Sequence, residues 1–160
     1  MKKQRVIIRN NHNEKLVGYL YKNTSKTLLI FCHGVDSINS YPGQGVEDVF
    51  DFYYQTGTSV FSFDFTGYGE SEGKKKISIK QRVSDIGSIV NYFSQKYKKI
   101  ILYGQKDKEV KPIQSIDFFI ELCARKKLLS VPGGDHTLMD KEKWKYLGPV
   151  LKWIREDVVY

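Results

Sequence analysis

The chain has 160 residues, enough for one domain with a true core but short for two. Hydrophobic residues make up 41%, which excludes a disordered chain, and no apolar run is long enough to span a membrane. The net charge of +8 comes from 26 basic and 18 acidic side chains and would admit an anionic partner. The basic residues, however, fall in short separated groups (Lys74 to Lys76, Lys96 to Lys99, Arg125 to Lys127) with no nucleic-acid motif. They read as surface solvation, and no specific nucleic-acid or membrane partner is indicated.

Gln4 to Arg9 and Lys15 to Lys22 read as two strands of a hairpin around Asn10-Asn11-His12-Asn13. Thr27 to Cys32 is a continuous apolar run, TLLIFC, of the kind found in strands buried on both faces. Val46, Val49, Phe50 and Tyr53 have helical spacing, and Gly57 is a stop. Ser59 to Phe63 is the next strand, followed by a glycine-rich loop to Lys76. Ser78-Ile79-Lys80-Gln81 is a capping-box pattern opening a helix to Tyr97, with an apolar stripe of Val83, Ile86, Val90 and Phe93. Lys99 to Tyr103 is another buried strand. A helix after Pro112 carries Ile116, Phe119, Ile120 and Cys123 on one face, and Leu128 to Val131 is a last strand. The final helical region carries Trp144, Leu147, Leu151 and Ile154, with a kink or restart expected at Gly148-Pro149.

A hairpin followed by strand–helix alternation predicts an α/β fold: an open, mostly parallel sheet of about six or seven strands with helices on both faces. One domain over residues 1–160 is expected. In such sheets chemistry sits in loops at the carboxyl ends of the strands. Four segments fall there. His33-Gly34-Val35 follows TLLIFC, and the Val35 N–H is placed to stabilise a developing oxyanion. Asp64-Phe65-Thr66-Gly67-Tyr68-Gly69-Glu70-Ser71 follows the fourth strand. Asp107 lies in the polar loop Gly104 to Pro112, and His136 in Pro132-Gly133-Gly134-Asp135-His136.

Taken together, His-Gly after an apolar strand and D-x-x-G-x-G-x-S after the next resemble the amino-terminal half of α/β-hydrolases. The carboxylesterase, monoacylglycerol-lipase and serine-aminopeptidase-like members are the nearest in pattern. The resemblance runs from about residue 5 to residue 155. It implies a serine-type ester or amide hydrolase in which Val35 contributes to the oxyanion hole, Asp107 is the catalytic acid and His136 the catalytic histidine. It implies a small acyl ester or amide substrate and no cofactor.

The pattern departs from the family at the nucleophile. The family order is Ser, Asp, His, with the serine in a G-x-S-x-G elbow between a strand and a helix. Here KIILYG leads through Gly104-Gln105-Lys106 directly into the acid loop at Asp107. The elbow, its helix, the following strands and any lid domain are missing from the middle of the pattern. The literal G-x-S-x-G at Gly69-Glu70-Ser71-Glu72-Gly73 does not replace it, because no strand leads directly into Ser71 and three lysines follow. Cys32 is a poorer nucleophile still, since its side chain should be fixed inside the sheet. Lys106, at the expected place of the serine, stays protonated at an ordinary pKa and cannot attack.

His12, His33 and His136 show no metal-ligand spacing, and the loop around Gly67 lacks a phosphate-cradle pattern. Cys32 and Cys123 form neither a disulfide framework nor a metal site. A cytoplasmic protein is expected, because the basic start Met1-Lys2-Lys3-Gln4-Arg5 is not followed by a signal-peptide core. A catalytically inactive, vestigial binding protein is the alternative to a hydrolase. Self-association is expected, because loss of an internal segment should expose apolar sheet surface.

Overall fold

The computed structural model describes residues 2–33, 47–75, 78–104 and 152. The chain divides into two compact units, Met1–Gly104 and Gln105–Tyr160, and the described residues other than Lys152 belong to the first. Val35, Lys106, Asp107, Cys123 and His136 lie outside the described residues, as do the strand and helices expected after Gly104.

Among the described residues this unit has five strands and two helices: β1 (Lys3–Arg9), β2 (Lys15–Tyr21), β3 (Thr27–Cys32), α1 (Glu47–Gln55), β4 (Ser59–Phe63), α2 (Ile79–Ser94) and β5 (Lys99–Gly104). They build one mixed sheet in the order β1-β2-β4-β3-β5. β1 pairs antiparallel with β2, and β2 with β4, whereas β3 runs parallel to both β4 and β5. The apolar run TLLIFC is the middle of the parallel part. Leu28, Leu29 and Ile30 are each 0% exposed, as a strand covered on both faces requires.

The two helices cover opposite faces. In the β3–β4 register Phe31 stands beside Ser62, one residue beyond Phe61, so Phe31 and Phe61 point to opposite sides. Phe50 of α1 packs edge-on against Phe31 and Tyr21, with ring centroids 5.5 and 5.9 Å apart. Phe93 of α2 packs against Phe61 at 4.7 Å. The chain passes from β3 through α1 to β4, then through α2 back across β3 to β5. The carboxyl ends of β3, β4 and β5 therefore share one end of the sheet, the end at which open α/β sheets bind ligands.

Helix α1 ends where expected, with Gly57 at φ +85° just beyond it. Helix α2 starts at the expected cap: Ser78 is extended and its Oγ accepts from the Gln81 N–H at 3.3 Å. Gln81 does not complete a capping box; its side-chain amide donates to Asp85 Oδ1 at 3.0 Å. The buried face of α2 also differs from the expected stripe. It consists of Asp85, Ile86, Ile89 and Phe93, while Val83 and Val90 are half-buried. The helix is rotated to carry the Asp85 carboxylate inward, where it meets donors from two other segments and from Gln81 of the same helix.

Candidate functional site

At the carboxyl end of β4, Asp64 to Ser71 form a loop folded around its own first residue. Asp64 is 1% exposed, and its Oδ2 accepts the Glu70 N–H at 3.0 Å. Gly69 adopts φ +49°, and a Cβ there would lie 2.1 Å from Asp64 Oδ2. Only glycine permits both the backbone turn and the approach of the carboxylate. Ser71 closes the loop. Its Oγ donates to the Asp64 carbonyl at 2.6 Å and accepts the Val17 N–H at 2.9 Å. The hydroxyl hydrogen thus goes to a carbonyl, and one lone pair to the backbone of β2.

The loop also anchors the end of β3. His33 is 3% exposed, and its ring packs edge-on against Phe65 and Tyr68 at 5.0 and 5.6 Å. His33 Nε2 accepts a long hydrogen bond of 3.4 Å from the Phe65 N–H. His33 thereby fixes the backbone from which residues 34 and 35 depart, and Val35 itself lies outside the described residues. Burial pushes the Cys32 thiol up to about 12, opposed in part by the positive charge of Arg82. At neutral pH this thiol is protonated and not a nucleophile.

A polar network missed by the sequence reading ties this end together. Asp85, 0% exposed, accepts the Thr66 N–H and the Thr66 hydroxyl, each at 2.9 Å, as well as the Gln81 amide. The Asn10 amide reaches Thr66 Oγ1 at 3.0 Å and Asp85 Oδ1 at 3.3 Å. Asn10 Oδ1 in turn accepts the His12 and Glu14 N–H groups, so the hairpin turn is locked to the loop and to α2. The available signal was an aspartate interrupting an otherwise apolar helical face. Arg82, in the first turn of α2, lies over Phe65 and near Tyr68, with Cζ 4.7 and 5.6 Å from the ring centroids.

β3 lies between β4, which leads to Ser71, and β5, which leads toward Asp107. Two strand spacings, about 10 Å, separate β4 from β5. Asp107 and His136 were expected to leave the sheet at this same end, but both lie outside the described residues. Among the described residues no cluster of three His, Cys, Asp or Glu side chains is placed to hold a metal ion. No described helix is long and apolar enough to cross a membrane.

Comparison with known structures assigns the class. An esterase of Pyrococcus furiosus superposes with a TM-score of 0.58 at 27% identity over 64% of this chain and 40% of its own. A putative hydrolase from Agrobacterium vitis S4 superposes with a TM-score of 0.58 at 16% identity, covering 79% of this chain and 47% of its own. An esterase from Exiguobacterium antarcticum gives 0.56 at 15% identity over 74% of this chain and 40% of its own. The fold is α/β-hydrolase-like.

Among curated proteins, an uncharacterized membrane protein of Saccharomyces cerevisiae is 29% identical over 106 residues, 64% of this chain. This chain spans 35% of that yeast protein's length. No family model matches the sequence.

Proposed function

We propose that this chain derives from ester- or amide-cleaving α/β-hydrolases and lacks serine-hydrolase turnover, acting as a binding protein at the carboxyl end of its sheet. The supporting observation is the state of Ser71. Its Oγ is engaged by two backbone groups inside a loop, whereas an activated serine needs an oxygen open to substrate and hydrogen-bonded to a base. The lysine at position 106, where the family pattern places its nucleophile, supports the same reading. Small acyl esters, amides or their acids are the proposed ligands. The free Cys32 thiol fits a reducing, cytoplasmic setting. Self-association through apolar sheet surface is part of the proposal, and sedimentation showing only monomer at high concentration would count against that part.

A second reading, surviving acyl hydrolysis, is favoured by the likeness to esterases. In it His136 is the general base, Asp107 orients it and stabilises the imidazolium, and the Val35 N–H receives the oxyanion. An esterase-like or serine-aminopeptidase-like specificity would follow. Without a positioned nucleophile, the remaining groups can only polarise a bound water, with turnover far below a complete triad's because the parts act as a unit.

A fluorophosphonate probe separates the two, with a screen of short p-nitrophenyl esters beside it. No labelling of the folded protein and no turnover are expected. Stoichiometric labelling that disappears in both Ser71→Ala and His136→Ala would overturn the binding-protein reading and make Ser71 a relocated nucleophile.

A further inference from the structure

The guanidinium of Arg82 carries an incomplete set of partners. Nη1 reaches the His33 carbonyl at 3.5 Å, a long contact. Nε and Nη2 are buried and have no hydrogen-bond partner. These two atoms share one edge of the guanidinium, where their N–H bonds run parallel, the geometry that receives both oxygens of a carboxylate. The Tyr68 hydroxyl is likewise buried without a partner, in a residue 4% exposed whose ring centroid lies 5.6 Å from Arg82 Cζ. Lys75 Nζ stands 4.9 Å from the Tyr68 ring centroid and adds a second positive charge. The acidic neighbour three residues along, Asp85, is occupied by Thr66, Gln81 and Asn10.

An arginine cannot shed its proton to relieve burial, so two buried, unpartnered N–H donors call for an anion. We propose that Arg82, supported by Tyr68, binds the carboxylate of a small organic acid at the carboxyl ends of β3 and β4. The choice of carboxylate over phosphate follows from the donor set: one planar fork and one hydroxyl match a planar monoanion, whereas a phosphate dianion presents three oxygens. Arg82 is not a member of the acid–histidine–oxyanion set. The inference rests on the reading that this end of the sheet is the ligand-binding end, and it holds whether or not the protein turns over esters.

The test is a nuclear magnetic resonance titration of the Arg82 Nε–H signal at constant ionic strength, with sodium hexanoate, inorganic phosphate and sodium chloride. A saturable downfield shift with hexanoate and none with chloride is expected. Arg82→Gln should raise the hexanoate Kd at least tenfold, and Tyr68→Phe severalfold. A hexanoate response no larger than that of chloride, or an unchanged Kd in Arg82→Gln, would overturn the proposal. Tighter binding of phosphate than of hexanoate would overturn the assignment to a carboxylate. Should Arg82→Gln not fold, Arg82→Lys decides, since it keeps the charge and loses the fork; full affinity there also overturns the proposal. Fluorophosphonate labelling leaves this result untouched, so the two readings fail separately.

Discussion

The Ser71 hydroxyl donates a 2.6 Å hydrogen bond to the carbonyl of Asp64, at the residue that follows β4. The same oxygen accepts the Val17 N–H of β2, so one side chain closes the loop on its first residue and staples it to β2. Ser71→Ala leaves both backbone groups without that partner. The expected loss of stability is about 1–3 kcal/mol, read as a lower urea midpoint with an unchanged slope. An unchanged midpoint would show that water replaces the hydroxyl and that the loop is not held by it.

Asp85 is a buried carboxylate whose stabilisation comes wholly from donors on other side chains and on the Thr66 backbone. Asp85→Ala removes the acceptor for all of them and is expected to cost about 3 kcal/mol or more. Asp85→Asn should cost about 2 kcal/mol, because an amide offers only one acceptor oxygen and would turn its NH2 toward a donor. A double-mutant cycle of Asp85→Ala with Thr66→Val should show coupling of about 1 kcal/mol. Additive effects would mean that the hydroxyl contributes nothing to the network.

Cys32 should resist alkylation at neutral pH in the native protein, because burial pushes its thiol up to about 12. In a Cys123→Ala background, iodoacetamide labelling should track global unfolding as urea is raised. Labelling well below the unfolding transition would show local opening at the end of β3.

Glu70 accepts from the Tyr19 hydroxyl and from Arg5 Nε and Nη2 at 3.1 and 3.0 Å. The Tyr19 and Arg5 bonds hold its carboxyl below the usual carboxylate range. The same contact, with Glu70 as the main cause, raises the Tyr19 phenol above its ordinary value. A carboxylate lowered on folding stabilises the fold above its unfolded pKa and loses that contribution as pH falls through the folded pKa. A phenol raised on folding stabilises below its unfolded pKa and loses that contribution as pH rises through the folded one. Glu70→Gln should therefore flatten both the acid and the alkaline limbs of a stability–pH profile. The effect should be small and shrink with salt, since the pair is exposed. A profile identical to wild type at low salt would deny the cluster any role.

Arg82 poses a balance of two opposed effects. Its contact with Phe65 and Tyr68 is favourable by about 0.5–2 kcal/mol, while burying charged donor atoms without partners costs several kcal/mol. Desolvation is the larger, so Arg82→Met should raise stability by about 1 kcal/mol when no carboxylate is present. A loss of more than about 1 kcal/mol would mean that the ring contacts dominate.

Several elements were legible in the sequence because their signals are local. β3 begins and ends where its apolar run does, since a strand covered on both faces is largely apolar along its length. The Ser78 cap and the Gly57 stop were readable because capping is decided within a few residues. The His-Gly and D-x-x-G-x-G-x-S segments disclosed the fold because a loop folded around its own aspartate leaves a fixed spacing of small residues.

The tertiary structure alone decided that α2 turns Asp85, not Val83 and Val90, toward the interior. It alone set the Ser71 hydroxyl against Val17 and buried one edge of Arg82 without hydrogen-bond partners. These facts depend on partners far apart in the chain. Asn10 meets Thr66 and Asp85 across 56 and 75 residues, respectively. A hydrogen bond of that reach leaves no period in the sequence, because the donor and acceptor are brought together only when the sheet and α2 have packed.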